Sequence, residues 1–206
     1  MADVTPTKSN LMAQKRSRAL AETGFELMDK KRNILIRELM ALMDQAADLQ
    51  KRVDSTFTRA YTSLRLANIS LGGGVEGVGQ SVHVDDSLNV RFRSVMGVEL
   101  PLVTAKSGFD GRIPYGLAGT DSKLDSAFVE FQRVKALLRD LAETENAIFR
   151  LAYSIKKTQK RANALKNIVI PGLDASIAKI TEELEEKDRE EFVRQKVIKA
   201  AQKKAG

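Results

Sequence analysis

From Leu35 onward the apolar residues of this chain recur at Leu35, Leu39, Leu42, Ala46, Leu49, Val53, Phe57, Ala60, Leu64, Ala67 and Leu71. The steps alternate four and three, with one four-four step across Val53. A seam held for about five heptads is the mark of a coiled coil, and the irregular step is a stutter that locally unwinds it. A second seam runs through Leu124, Phe128, Phe131, Val134, Leu138, Leu141, Glu145, Ile148, Ala152, Ile155, Gln159, Ala162, Leu165, Val169, Leu173, Ile177, Ile180 and Leu184. Neither helix can bury its stripe alone. The expected fold is therefore mainly α, a long antiparallel two-helix coiled coil, with arms of roughly 95 and 120 Å at ~1.5 Å per residue.

Between the arms the composition changes. Ten of the 13 glycines and two of the four prolines lie within Gly72–Gly119. This divides the chain into an N-terminal helix (7–71), a glycine-rich insert with short strands (72–119) and a C-terminal helix (120–204). Pro6 precedes Thr7 and Ser9, both suitable N-caps. Gly72-Gly73-Gly74 supplies a stop, and Ser122 with Asp125 has capping-box spacing. In the insert, "SVHV" and "LNVRF" alternate, which puts Leu88, Val90 and Phe92 on one face. "VELPLV" reads as an edge strand because of Pro101. A small β-hairpin-like knob is expected there.

Pro171 and Gly172 interrupt the second arm. Proline removes a donor and crowds the carbonyl of Asn167, at about 3 kcal/mol within a helix; glycine adds roughly 1 kcal/mol. Either the helix ends at Ile170 or it continues with a bend. Leu165, Val169, Leu173 and Ile177 keep one stripe across the proline, which favours a continuous helix bent near 167–172.

Several functions find no footing. The chain has no cysteine and a single histidine, His83, so disulfides, thiolate chemistry and a histidine metal cluster are excluded. No catalytic residue, cofactor or metal site is expected. His83 reads as a packed or half-exposed strand residue. "LGGGVEGVGQS" follows a helix and lacks the Lys-Ser/Thr of a phosphate loop, so it reads as a flexible connector. The longest apolar run, Leu39–Met43, is far short of a membrane span, and the opening residues lack the apolar core of a secretory signal. A soluble intracellular protein is expected. Glu145 and Gln159 in the seam either mark gaps and fix register or meet a partner's charge.

Net charge is +7, with an excess of positive charge in both arms and acids interleaved throughout. "KSNLMAQKRSR" and Lys30-Lys31-Arg32 could contact phosphates, but acids follow closely and no aromatics interleave. The pattern fits a solvated or protein-contacting face. A nucleic-acid-binding coiled-coil arm is the alternative, and a cytoskeletal or membrane-scaffolding coiled coil is a third class.

Two long stretches carry a resemblance. "PTKSNLMAQKRSRALAETGFELMDKKRNILIREL" (6–39) and "TQKRANALKNIVIPGLDASIAKITEELEEKDREEFVRQKVIK" (158–199) resemble the paired terminal signatures of the D subunit of V-type and A-type rotary ATPases. The insert's "VMGVELP" and "IPYG" are similar as well. The resemblance implies a non-catalytic central rotor shaft, cytoplasmic and peripheral to the membrane. Its partners would be the hexameric head of catalytic A and B subunits, the small F subunit, and the funnel-shaped subunit that joins shaft to membrane ring; nucleic acid and direct membrane insertion are not implied. It further implies that Lys8, Asn10, Leu11, Arg189, Phe192, Arg194, Lys196 and Lys199 face the head. Pro171 and Gly172 would form the shaft bend, and Lys31, Arg32, Arg161, Asn163 and Leu165 are family-motif positions. The first half of the second arm and the insert would lie toward the F subunit. The short tail after Lys199 is similar to prokaryotic members.

Overall fold

A computed structural model describes residues 5–82, 87–105 and 113–205. In chain order they form α1 (Lys8–Leu71), α2 (Gly74–Ser81), β1 (Leu88–Val95), β2 (Val98–Ala105) and α3 (Ser122–Ala164). A π-helical turn (Leu165–Val169) then leads into α4 (Ile170–Ala205). His83 and the end of "SVHV" lie outside the described residues, as does the "GFDGR" part of the insert. Two compact units are formed, Ile34–Ile155 and Met1–Asn33 with Lys156–Gly206.

In the Ile34–Ile155 unit, α1 and α3 run antiparallel and the seam of α1 faces inward. Every seam position from Leu35 to Leu71 is buried or half-buried. Leu35, Leu42, Ala147 and Leu151 form the core with Leu100 of β2, and Leu39, Val95, Val98, Ile148 and Ile155 pack around them. At the stutter Thr56 is buried together with Val53 and Ala60. Its hydroxyl donates to the Arg52 carbonyl at 2.7 Å, so the methyl is what meets the neighbouring helix.

The seam of α3 departs from expectation. Leu124, Val134, Leu141 and Ala162 are buried as expected, but Leu138, Glu145 and Ala152 are exposed, and Thr144, Ala147, Leu151 and Thr158 are buried instead. The stripe passes one residue earlier at every second step. Threonine counted as polar hides this stripe, yet the Thr144 hydroxyl is satisfied by the Asp140 carbonyl at 2.8 Å and adds no unpaired group to the core. Glu145 is therefore a solvent residue and not a seam gap.

The insert is more ordered than expected. "GGVEGVGQS" is not a loose connector: it contains helix α2 after Gly72, whose positive φ of 59° ends α1. β1 and β2 pair antiparallel, with Val95 opposite Val98 across a two-residue turn. Met96 and Gly97 both have positive φ, 51° and 75°, the requirement of a type I′ hairpin turn. At the base of the insert, Ser70 donates to Asp121 at 2.6 Å and Tyr115 donates to Asp125 at 2.9 Å.

β2 has its outer edge covered by α3. The Val103 N–H donates to Glu143 at 2.7 Å, and Arg150 donates to the Glu99 carbonyl at 3.1 Å. Pro101 lies between them on the same edge, where its missing N–H leaves no orphan donor. Arg150 also sits 5.2 Å above the Phe92 ring.

Candidate functional site

The other unit, Met1–Asn33 with Lys156–Gly206, carries every family-motif position named above. Its two helical stretches are antiparallel and cross-linked along their length. Lys8 lies 3.9 Å from Asp188, and Arg18 pairs with both Asp174 and, at 3.1 Å, Glu22. The Asp174 hydrogen bond and charge hold the Arg18 guanidinium more firmly protonated than usual. Gly24 faces Leu165, whose Cδ1 would lie 3.8 Å from a Cβ at Gly24, and Lys166 sits 5.8 Å from the Phe25 ring centre.

The best-built part is a polar cluster between the helices. Arg32 donates to Gln159 Oε1 at 2.7 Å and pairs with Asp29 at 2.6 Å. Asn33 lies between these two residues, accepting from Arg32 and donating to Asp29. Gln159 in turn donates to Asn163 at 2.7 Å. Arg32 is only a quarter exposed. A planar guanidinium held by a carboxylate on its own helix and an amide on the facing helix fixes the axial position of one helix against the other. Of the two sequence readings of Gln159, its partners match register-fixing.

The proline is accommodated by a wider turn. The Ile170 N–H donates to the Leu165 carbonyl, five residues back, and helix continues on both sides. A wider turn just before Pro171 is the form of helix that eases the crowding a proline imposes on the preceding turn, and the helix continues without a break. Val169 is exposed, whereas Ile170 is half-buried, so the inward stripe takes a five-residue step here. Pro171 is exposed and Gly172 half-buried.

The remaining predicted residues fall at two places. At the start of α1, Thr7 is the N-cap, accepting the Asn10 N–H at 3.2 Å, while the Asn10 side chain donates to the Thr5 carbonyl at 2.8 Å. Leu11 is half-buried behind this cap. In α4, Arg189 pairs with Glu185 at 3.5 Å, and every residue from Glu185 to Gln202 is exposed. That segment includes Phe192 at 67% exposure, Val193, Val197 and Ile198, interleaved with Arg194, Lys196 and Lys199. Lys31 is half-buried and Arg161 exposed. Sequence reasoning did not bring Asp29 and Asn33 into the cluster; the i, i+3 spacing of Asp29 to Arg32 and the i, i+4 spacing of Asp29 to Asn33 were the available signal.

Among the described residues no group of His, Asp or Glu is placed to hold a metal ion, and no helix is long and apolar enough to cross a membrane. One unit holds antiparallel helices joined by a polar pin and the other antiparallel helices with an inserted β-hairpin, so the class is that of mainly α proteins built on long antiparallel helices. The particular family is given by comparison: the profile of the ATP synthase D subunit matches residues 10–200, and the chain belongs to that family. It is 41% identical over 197 residues to a V-type ATP synthase D subunit of Thermotoga neapolitana, covering 95% of this chain and 97% of the relative. The A-type ATP synthase D subunit of Thermococcus sibiricus is 36% identical over 202 residues, with 96% and 94% covered. That of Methanosphaera stadtmanae is 33% identical over 199 residues, with 95% and 93% covered.

Proposed function

We propose that this chain is the central rotor shaft of a V/A-type ATPase, a non-catalytic subunit that transmits torque between a nucleotide-hydrolysing head and a membrane ring. The observation that carries the reading is the α4 segment from Glu185 to Gln202. It is helical and exposed on all sides; acids and bases mix from Glu185 to Glu191, and from Phe192 to Lys199 cations interleave with large apolar side chains, next to a firmly pinned helix pair. Such a segment suits insertion into a surrounding protein sleeve, with Lys8, Asn10, Leu11, Arg189, Phe192, Arg194, Lys196 and Lys199 toward the head. Weak, screened charge contacts suit a surface that must grip and release as it turns. The F subunit and a funnel-shaped subunit joining shaft to ring would take the remaining contacts, at the cytoplasmic side of the membrane.

The wide turn before Pro171 has a place in this reading. It deflects the helix axis inside the sleeve, so that the rotor presents a different face to each catalytic site in turn. Replacing Pro171 and Gly172 by alanine should restore regular α-helical turns and weaken the coupling of hydrolysis to rotation; unchanged torque and turnover would remove the turn from the mechanism.

A native pull-down tests the assignment, with a tag on a linker after Gly206. Head subunits recovered at three copies each per chain, with one copy of a small partner, are the expected result. Recovery of nucleic acid without ATPase subunits would replace the shaft by a nucleic-acid-binding arm.

A further inference from the structure

The β-hairpin treats its two edges differently. On β2, the backbone groups of Glu99, Pro101 and Val103 face outward: Val103 N–H and the Glu99 carbonyl are taken by Glu143 and Arg150, and Pro101 has no donor to leave bare. Since Val90 pairs with Val103, Phe92 with Pro101 and Ser94 with Glu99, the register sends the backbone groups of Val90, Phe92 and Ser94 outward from the opposite edge. Among the described residues no strand, helix or side chain covers that edge. It carries no proline, no bulge and no lysine; of the devices that normally blunt a sheet edge it has only the charged side chains of Arg91 and Arg93.

The side chains along β1 match this backbone. Leu88, Val90 and Phe92 share one face, as their alternation implies, and are 54%, 52% and 56% exposed there. On the other face Asn89, Arg91 and Arg93 are exposed, and neither arginine has an ion-pair partner among the described residues. An eight-residue edge with Leu88, Val90 and Phe92 on one face, where Arg150 of α3 rests over the Phe92 ring, and Arg91 and Arg93 on the other specifies what would complete it.

We propose that the outer edge of β1 receives an extended segment of another ATPase subunit. That segment adds as a third strand and alternates apolar residues, against Leu88, Val90 and Phe92, with carboxylates opposite Arg91 and Arg93. The main chain supplies the affinity and the two arginines set strand choice and register. This rests on the shaft reading, since the strand comes from an assembled neighbour.

Amide hydrogen exchange on the free chain and on the assembled complex tests it. In the free chain the outward Val90 and Phe92 amides should exchange fast while the inward Arg91 and Arg93 amides are protected. In the complex the outward pair should slow by at least about tenfold. Val90→Pro removes an outward donor without touching the β1–β2 ladder, and Arg91→Glu with Arg93→Glu reverses the cationic face. Both variants should keep the inward amides protected and lose the outward protection on assembly. Outward amides that stay fast in an intact complex overturn the strand and leave the shaft standing. Outward protection that grows with concentration of the free chain assigns the edge to a second copy and overturns the proposal. A chain that enters no ATPase complex overturns both readings.

Discussion

Arg32 and Gln159 show how one pair of side chains governs the alignment of two helices. Alanine at either position removes a charge-assisted bond from a part-buried site, at about 1–2 kcal/mol after allowing for solvent. Because the two groups share one bond, the double variant should cost measurably less than the sum of the single ones, by more than about 0.5 kcal/mol in urea unfolding. Additive costs would mean that the pin does nothing. Thr144→Val tests the hidden stripe: it keeps the shape and gives up one back-bond, so a change under about 1 kcal/mol is expected, whereas Leu151→Ala should cost roughly 2–5 kcal/mol. Met96 occupies a left-handed position that asparagine adopts more readily, so Met96→Asn should raise stability by about 0.5–1 kcal/mol. Tyr115 gives a pH signature. Burial, followed by its bond to Asp125, pushes the phenol up to about 12. The folded state therefore holds this proton more tightly than the unfolded chain, near 10. The Tyr115 contribution is complete below about pH 10 and is lost as pH rises toward 12. Tyr115→Phe should flatten that loss in alkaline unfolding curves; an unchanged slope would place its origin elsewhere.

Among the elements, the reach of the sequence depended on how plainly apolar each seam was. The α1 seam was legible because leucine, valine, phenylalanine and alanine mark nearly every inward position. That of α3 was legible only in part, because Thr144 and Thr158 carry it and a hydroxyl bonded to its own helix behaves as an apolar surface toward the neighbour. The stripe across the proline was read as a continuous helix bent near 167–172, and helix does continue from Ser122 to Ala205. The actual resolution, a turn one residue wider, was out of reach because periodicity reports faces and not hydrogen-bond lengths. Pro171→Ala by itself should stabilise by less than the ~3 kcal/mol of a proline in a regular helix, since the wide turn has already relieved the clash. A gain near the full amount in urea unfolding would show that the turn relieves nothing. The hairpin was foreseen as strands, but its Met96-Gly97 turn was not, since methionine gives no signal for positive φ. Nor did alternation reveal that Leu88, Val90 and Phe92 face outward: it groups residues by face without saying which face is covered.

For the molecule as a whole, the family was legible because long motifs at both ends of the chain fall on helices that pack against each other. The polar cluster required coordinates, since Asp29, Arg32, Asn33, Gln159 and Asn163 come together only when two distant segments are aligned. The exposed length of α4 has one more consequence. A helix that touches almost nothing draws stability from its own ladder and a few pairs such as Glu185–Arg189, which is marginal for some 18 residues in water. Before assembly this segment should breathe open, and trypsin should cut first at Arg189, Arg194, Lys196 and Lys199. Once enclosed, the same bonds should resist. An orphan copy would thus be trimmed from the region that the head is proposed to grip, and a trimmed copy could not take a place that an intact one could fill.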